Sequence, residues 1–207
     1  MRRVVVTGLG IVSSIGTNAE EVLASLKAGR SGITANEQMK EHGFRSQIAG
    51  AIDLDLAQHV DKRTLRFMGP GAAYAHIAIQ QAIADSGLEE SDIVNPRTGL
   101  IAGSGGPSTS ALLTAHQTVL KTGSTKRVGP FAVPKAMCST VSANLSTAHK
   151  IKGINYSITS ACSTSLPVRR HGRDVVEIQR HARQGLARIR RGPRRVRDLG
   201  RGRHPRA

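Results

Sequence analysis

Cys162 is the residue of this sequence best placed to do covalent chemistry. It stands in Tyr156-Ser-Ile-Thr-Ser-Ala-Cys162-Ser-Thr-Ser165, where the run from Asn155 to Ser160 reads as a strand and the flanking side chains are small. Small neighbours let a chain turn sharply and let a substrate approach the sulfur. If a helix begins at Cys162, its unpaired backbone N–H groups and dipole stabilise a thiolate. The same groups, the N–H of Cys162 among them, stabilise an oxyanion on an acyl carbonyl. This is the nucleophile elbow of hydrolases with sulfur in place of oxygen. The competing reading, and for a lone cysteine the commoner one, is a buried and inert thiol acting as a small hydrophobe.

The chemistry stops there on residue types alone. The other cysteine is Cys138, and two cysteines make neither a disulfide framework nor a metal site. The eight histidines are scattered without His-x-x-x-His spacing, so no metal is expected. Free cysteines fit a reduced, cytoplasmic protein. No run of eighteen or more apolar residues exists to span a membrane. The opening MRRVVVTGLGIV pairs two arginines with an apolar stretch, but Thr7 and the glycines interrupt it. A first buried strand is expected there rather than a signal peptide.

The elements that must position Cys162 follow from the pattern. Arg3 to Val6 reads as a strand closed by a tight turn at Thr7-Gly8-Leu9-Gly10. Asn18 before Ala19, Glu20 and Glu21 starts a helix that Gly29 and Arg30 end. Residues 31–62 read as irregular. Ala72 to Ala84 is a mostly buried helix closed by Gly87. Gly99 to Ala102 is a short strand running into Gly103-Ser-Gly105-Gly106. Residues 107–120 read weakly as a helix, and Val133 to Lys150 begins as loop and continues as a helix. Strands alternating with helices indicate an α/β fold with a largely parallel sheet. Sites in such sheets form at the C-terminal strand ends, where Cys162 falls.

Composition divides the 207 residues in two. The net charge is +16, with no Trp, three Phe and two Tyr, so the core must be aliphatic. Residues 1–165 hold 16 Lys and Arg against 11 Asp and Glu, while residues 166–207 hold 14 Arg against 3 Asp and Glu. The basicity is therefore mostly a property of the tail. Within it Val175, Ile178, Ala182, Leu186 and Ile189 fall at helical spacing, and Gly192 to Ala207 is expected to be disordered. A tail with so few apolar residues is not expected to pack on the domain.

Residues 1–165 resemble the condensing enzymes of thiolase-like fold, closest to the β-ketoacyl-[acyl-carrier-protein] synthase I type. The resemblance rests on RRVVVTGLGIVSSIG, VLASLKAGRSGI, RFMGPGAAYA, AIADSGL, GLIAGSGG, VGPFAVPKAM and KIKGINYSITSACSTS, in that order. It implies an incomplete thiolase-like α/β fold, about the first two fifths of a family member. It implies that Cys162 accepts an acyl group from acyl carrier protein as a thioester. Decarboxylative Claisen condensation with malonyl carrier protein follows in the family, supported by histidines and a lysine of the C-terminal half. No cofactor is implied beyond the phosphopantetheine of the carrier. The family also implies a homodimer, with Met137 and Cys138 lining the acyl pocket or the dimer contact, or simply packing in the core.

After Ser165 the resemblance ends abruptly. The family's His-Gly-Thr, Gly-His and Gly-Phe-Gly-Gly motifs are absent, and an Arg, Gly and Pro-rich tail stands instead. Such residues are what GC-rich codons give out of frame, so a frameshift near residue 166 is the expectation, with condensing activity incomplete in this chain. A non-catalytic partner of a complete synthase is an alternative role. Two other classes compete. Gly8-Leu-Gly10 after a strand suggests a dinucleotide site, but Ser13 holds the third glycine position and no acid ends a second strand. Gly103 to Gly106 lacks the Lys-Ser/Thr of a phosphate loop. The Arg tail suits nucleic acid or an anionic membrane surface by charge, but it has no aromatic for base stacking, so no specific nucleic acid is expected.

Overall fold

The computed structural model describes residues 5–164 in full, together with the backbone of Val175–His181 and Gln184–Arg191. In chain order the elements are β1 (Val5–Ser13), α1 (Ala19–Lys27), β2 (Ile33–Ala35), α2 (Glu37–Glu41), β3 (Ile48–Gly50), α3 (Leu56–His59) and α4 (Lys62–Leu65). Then follow α5 (Pro70–Ser86), α6 (Glu90–Ile93), β4 (Gly99–Gly103), α7 (Thr109–Thr122), α8 (Ala132–Ala136), α9 (Thr140–Ala148) and β5 (Asn155–Ile158). Strands β6 (Val175–His181) and β7 (Gln184–Arg191) follow, and single 3-10 turns stand at Thr125–Arg127 and Ala161–Ser163.

The helix boundaries obey local chemistry. Asn18 caps α1 by accepting from the Glu21 N–H, and Pro70 opens α5 at a position that needs no donor. Gly87 closes α5 in the left-handed region at φ 63°. Four alanines of α5, Ala72, Ala73, Ala78 and Ala82, are fully buried, as are Val12, Ile79, Leu100 and Leu145. Each such Leu, Ile or Val contributes about 1.5–3 kcal/mol by leaving water. This aliphatic seam between α5, α9, β1 and β4 is the core.

The glycines of the first strand do not make the expected turn. β1 runs through them to Ser13, and the chain reverses at Ser13–Gly16 instead. A Cβ on Gly8 would stand 2.1 Å from the Ala82 carbonyl oxygen, and one on Gly10 would stand 1.8 Å from that of Ala78. The glycines are therefore a groove in the strand that lets the α5 backbone touch it. On the strand's other edge, Leu9 N–H donates to Asp85 at 2.8 Å and Ile11 N–H to Gln81 at 3.0 Å. Side chains of α5 thus satisfy an edge that another strand would otherwise fill.

The main sheet has the order β1-β7-β6-β4-β5. β5 and β6 run parallel to β4, whereas β7 is antiparallel to both β6 and β1. All of its strands except β7 therefore point the same way, which is the α/β architecture expected, although the pairing is mixed. Residues 31–62, read as irregular, include a two-stranded antiparallel pair of β2 with β3.

The backbone of Val175–His181 and Gln184–Arg191 overturns, for these described residues, the helical reading of the spacing and the expectation of an unpacked, disordered or loosely helical tail. It forms two strands at the interior of the sheet, between β1 and β4. The physical reason is backbone pairing. β1 and β4 would otherwise present open N–H and C=O groups, and Val175, Val176 and Ile178 are β-branched residues that suit a strand. The expected disorder of Gly192 to Ala207 lies outside the described residues.

Close approach at Gly10 yields a stability test. Gly10→Ala drives a methyl into the α5 backbone and is expected to cost on the order of 1–3 kcal/mol in urea denaturation. Gly106→Ala, whose added Cβ would meet nothing within 4 Å, is expected to stay within about 0.5 kcal/mol of the parent. Equal effects would contradict the groove.

Candidate active site

Strands β4 and β5 end side by side, with Gly103 paired to Ile158. The loops leaving them are therefore forced together at the C-terminal end of the co-directional strands. The loop after β5 makes a 3-10 turn at Ala161–Ser163, in which Ser163 N–H donates to Ser160 O at 2.9 Å and Thr164 N–H to Ala161 O at 3.3 Å. Cys162 occupies the middle of this turn and its side chain is exposed. The expected nucleophile thus lies on the surface, against the reading of a buried inert thiol. The start of a longer helix at Cys162, which the sequence suggested, would extend outside the described residues.

The turn is held under backbone strain. Ala161 has φ of +44°, a left-handed conformation that costs an L-residue with a Cβ roughly 1–2 kcal/mol. Such strain persists only where surroundings impose it, and it clusters at functional sites. Thr164 is 3% exposed and lies under the turn. Its hydroxyl accepts from Ser160 N–H at 3.0 Å and donates to Ala161 O at 2.7 Å.

The glycine loop has a reason of the same kind. A Cβ on Gly103 would stand 2.3 Å from the Thr164 methyl, and one on Gly105 would stand 3.2 Å from Ala161 O. Ser104 is buried and its hydroxyl donates to Gly106 O at 2.7 Å. Gly103 to Gly106 therefore packs as a turn against the Cys162 turn.

Met137 and Cys138 lie between α8 and α9, Met137 half-buried and Cys138 exposed. A cavity of about 240 Å³ opens between the start of α5, α7 and α8, lined by Met68, Pro70, Ala111, Ala115 and Phe131 among others. Its lining includes neither Met137 nor Cys138. Phe131 packs edge-on against Phe67 with ring centroids 4.9 Å apart, and the Arg66 guanidinium lies 5.5 Å from the centre of the Phe131 ring. Among the described residues no group of three or more His, Cys, Asp or Glu could hold a metal ion, and no helix is long and apolar enough to cross a membrane.

One pairing had no signal in the sequence. His76 of α5 and His149 at the end of α9 stack with ring centroids 5.0 Å apart, 73 positions from each other in the chain. His76 Nδ1 and His149 Nε2 are buried with no hydrogen-bond partner. Burial lowers the pKa of His76, and burial together with the charge of His76 pushes His149 down to about 4.

Comparison with known proteins gives one family. Residues 1–177 match the family described as "Beta-ketoacyl synthase, N-terminal domain", a match that runs past Ser165. The 3-oxoacyl-[acyl-carrier-protein] synthase 1 of Haemophilus influenzae is 48% identical over 178 residues, 86% of this chain and 44% of that protein. The chain spans about two fifths of the length of the curated relatives it matches. Among solved structures, a β-ketoacyl synthase from Burkholderia phymatum superposes with a TM-score of 0.75 at 24% identity, over 92% of this chain and 59% of that one. A type II polyketide ketosynthase solved in complex with its acyl-carrier protein superposes with a TM-score of 0.68 at 13% identity, over 93% of this chain and 63% of that one. These likenesses show the fold.

The histidine pair sets an acid limit on stability. Its imidazoles are neutral in the fold, and an unfolded histidine titrates near 6.5. Below that pH the unfolded chain binds protons that the fold refuses, so the stability linked to His149 falls as pH drops from about 6.5 and stops falling below about 4. For His149→Phe, the stability difference from the parent is expected to shift in the variant's favour by about 2 kcal/mol between pH 7 and 4.5. Parallel urea-stability curves for the two proteins over that range would contradict it.

Proposed function

The chain belongs to the β-ketoacyl synthase family through its N-terminal domain, and from that premise we propose that it carries the acyl-accepting half of a condensing enzyme of fatty-acid synthesis. Cys162 is the nucleophile. Its sulfur attacks the thioester carbonyl of an acyl group held on phosphopantetheine. The carbonyl carbon gains a bond to Sγ and loses its bond to the carrier sulfur. The proton given up by Cys162 passes to the departing thiol. Covalent transfer divides one bimolecular condensation into a loading step and a coupling step. Coupling is decarboxylative Claisen condensation of the loaded acyl group with malonyl carrier protein, which yields a β-ketoacyl chain two carbons longer.

The observation that carries this reading is the exposed Cys162 at the middle of a strained, tied-down turn, at the C-terminal end of the co-directional strands. Met137 and Cys138 belong to the proposal as an acyl-pocket wall or dimer contact. Acyl carrier protein is the proposed partner, supported by the neighbour solved in complex with its own carrier. A homodimer and a cytoplasmic location complete the proposal, with no cofactor beyond the carrier's phosphopantetheine. Residues 1–165 form the synthase part in this reading and residues 166–207 a segment of separate, frameshifted origin, against which stands the family match that extends to residue 177.

The test is loading. The 207-residue chain incubated with acyl carrier protein bearing a saturated acyl thioester is expected to gain the mass of one acyl group, mapped to the peptide containing Cys162. Cys162→Ala is expected to lose it, and Cys138→Ala to keep it. Loading that persists in Cys162→Ala, or no loading of the folded parent, would overturn the proposal. Added malonyl carrier protein is expected to release carbon dioxide at no more than about a hundredth of a complete synthase's rate, because several transition-state donors are then missing together.

A further inference from the structure

We propose that Thr164 is a positioning residue for Cys162, its hydroxyl closing the turn that presents the sulfur. The proposal rests on the reading of Cys162 as acyl acceptor and adds to it the group that fixes the acceptor's place.

Four observations converge on this side chain. Thr164 is buried, while the residues it spans, Ala161, Cys162 and Ser163, are exposed. Its hydroxyl is used twice, accepting from the residue two before Cys162 and donating to the residue immediately before it. Those two bonds bracket Ala161, whose φ of +44° would relax toward the ordinary negative region if nothing held it. Its methyl fills the place where Gly103 lacks a side chain, 2.3 Å from an ideal Cβ there. Hydroxyl and methyl thus act in different directions. The methyl locates Thr164 against the end of β4, and the hydroxyl locates Ala161 and Ser160 against Thr164.

A thiol on an untied turn would still react with small electrophiles. It would lose the fixed approach that attack on a carrier-bound carbonyl requires, since a misplacement of about 1 Å costs up to roughly a hundredfold in rate. The effect belongs in the rate at saturating acyl carrier protein, not in the concentration needed for saturation, because Thr164 is buried and offers the carrier no surface to touch.

The experiment measures acyl loading of the full chain against concentration of acyl carrier protein, for the parent, Thr164→Val and Thr164→Ser. Thr164→Val keeps the shape and the contact with Gly103 but removes both hydrogen bonds. Thr164→Ser keeps the oxygen and removes the methyl. The saturating rate is expected to fall about ten- to a hundredfold in Thr164→Val, with the half-saturating concentration unchanged, and to return to within about threefold of the parent in Thr164→Ser. A Thr164→Val variant that loads like the parent overturns the proposal, and so does a Thr164→Ser variant as slow as Thr164→Val. Should Thr164→Val not fold by its urea transition, Gly103→Ala serves in its place. Its added methyl displaces that of Thr164 and is expected to lower the saturating rate at least tenfold, an unchanged rate overturning the proposal. Failure of the parent itself to load sinks the acyl-acceptor reading as a whole, whereas loading that ignores Thr164 sinks only the positioning role.

Discussion

The parallel pairing of β4 with β5, ending at Gly103 beside Ile158, is the constraint on which the candidate site depends. Strands that end together deliver their loops to one place. Here one loop is nearly free of side chains and the other carries Cys162. Each could pack against the other only because Gly103 leaves room for the Thr164 methyl and Gly105 for the Ala161 carbonyl. A larger residue at Gly103 would push Thr164 aside and release the strained Ala161. The Cys162 turn is thus fixed by packing from one side and by the Thr164 hydroxyl from within.

The same principle builds the scaffold. With no tryptophan and few other aromatic residues, the chain has little large side-chain area to bury. It gains contact by bringing backbone close to backbone, through Gly8 and Gly10 on β1 and the buried alanines of α5. Dispersion across such a seam is dense because the atoms are near, each pair contributing about 0.1–0.2 kcal/mol. The polar ends of the interface are satisfied by Asp85 and Gln81, which accept from β1, so close approach leaves those strand N–H groups paired. The paired rings of His76, on α5, and His149, after α9, meet at 5.0 Å beside this scaffold.

Signals with local causes agree with the structure. Asn18, Gly87 and the apolar run from Gly99 gave a helix start, a helix end and a strand, because capping and β-branching act within a few residues. The exposed turn that carries Cys162 was legible through its small neighbours, and the role proposed for the cysteine came from the family resemblance. Gly8 and Gly10 misled, since a glycine needed for a turn and one needed for a helix to touch look alike until the helix is placed. Val175, Ile178 and Ile189 misled as well. Their spacing fits a helix, while the strands they form answer to β1 and β4, more than seventy residues away. The Thr164 clamp and the histidine pair arise only when distant segments meet, and no spacing rule encodes them.

The measurement that bears most directly on the account is competitive alkylation of Cys162 and Cys138 by limiting iodoacetamide, in the native chain and again in 8 M urea. Both thiols are exposed, so exposure cannot favour either. Cys162 is expected to be labelled at least about tenfold ahead of Cys138 in the native chain, because its tied turn holds the sulfur in one orientation for attack. Near-equal labelling is expected once urea abolishes that turn. Equal labelling in the native chain, or the same preference in urea, would show that the fold does nothing for Cys162 and would contradict the account.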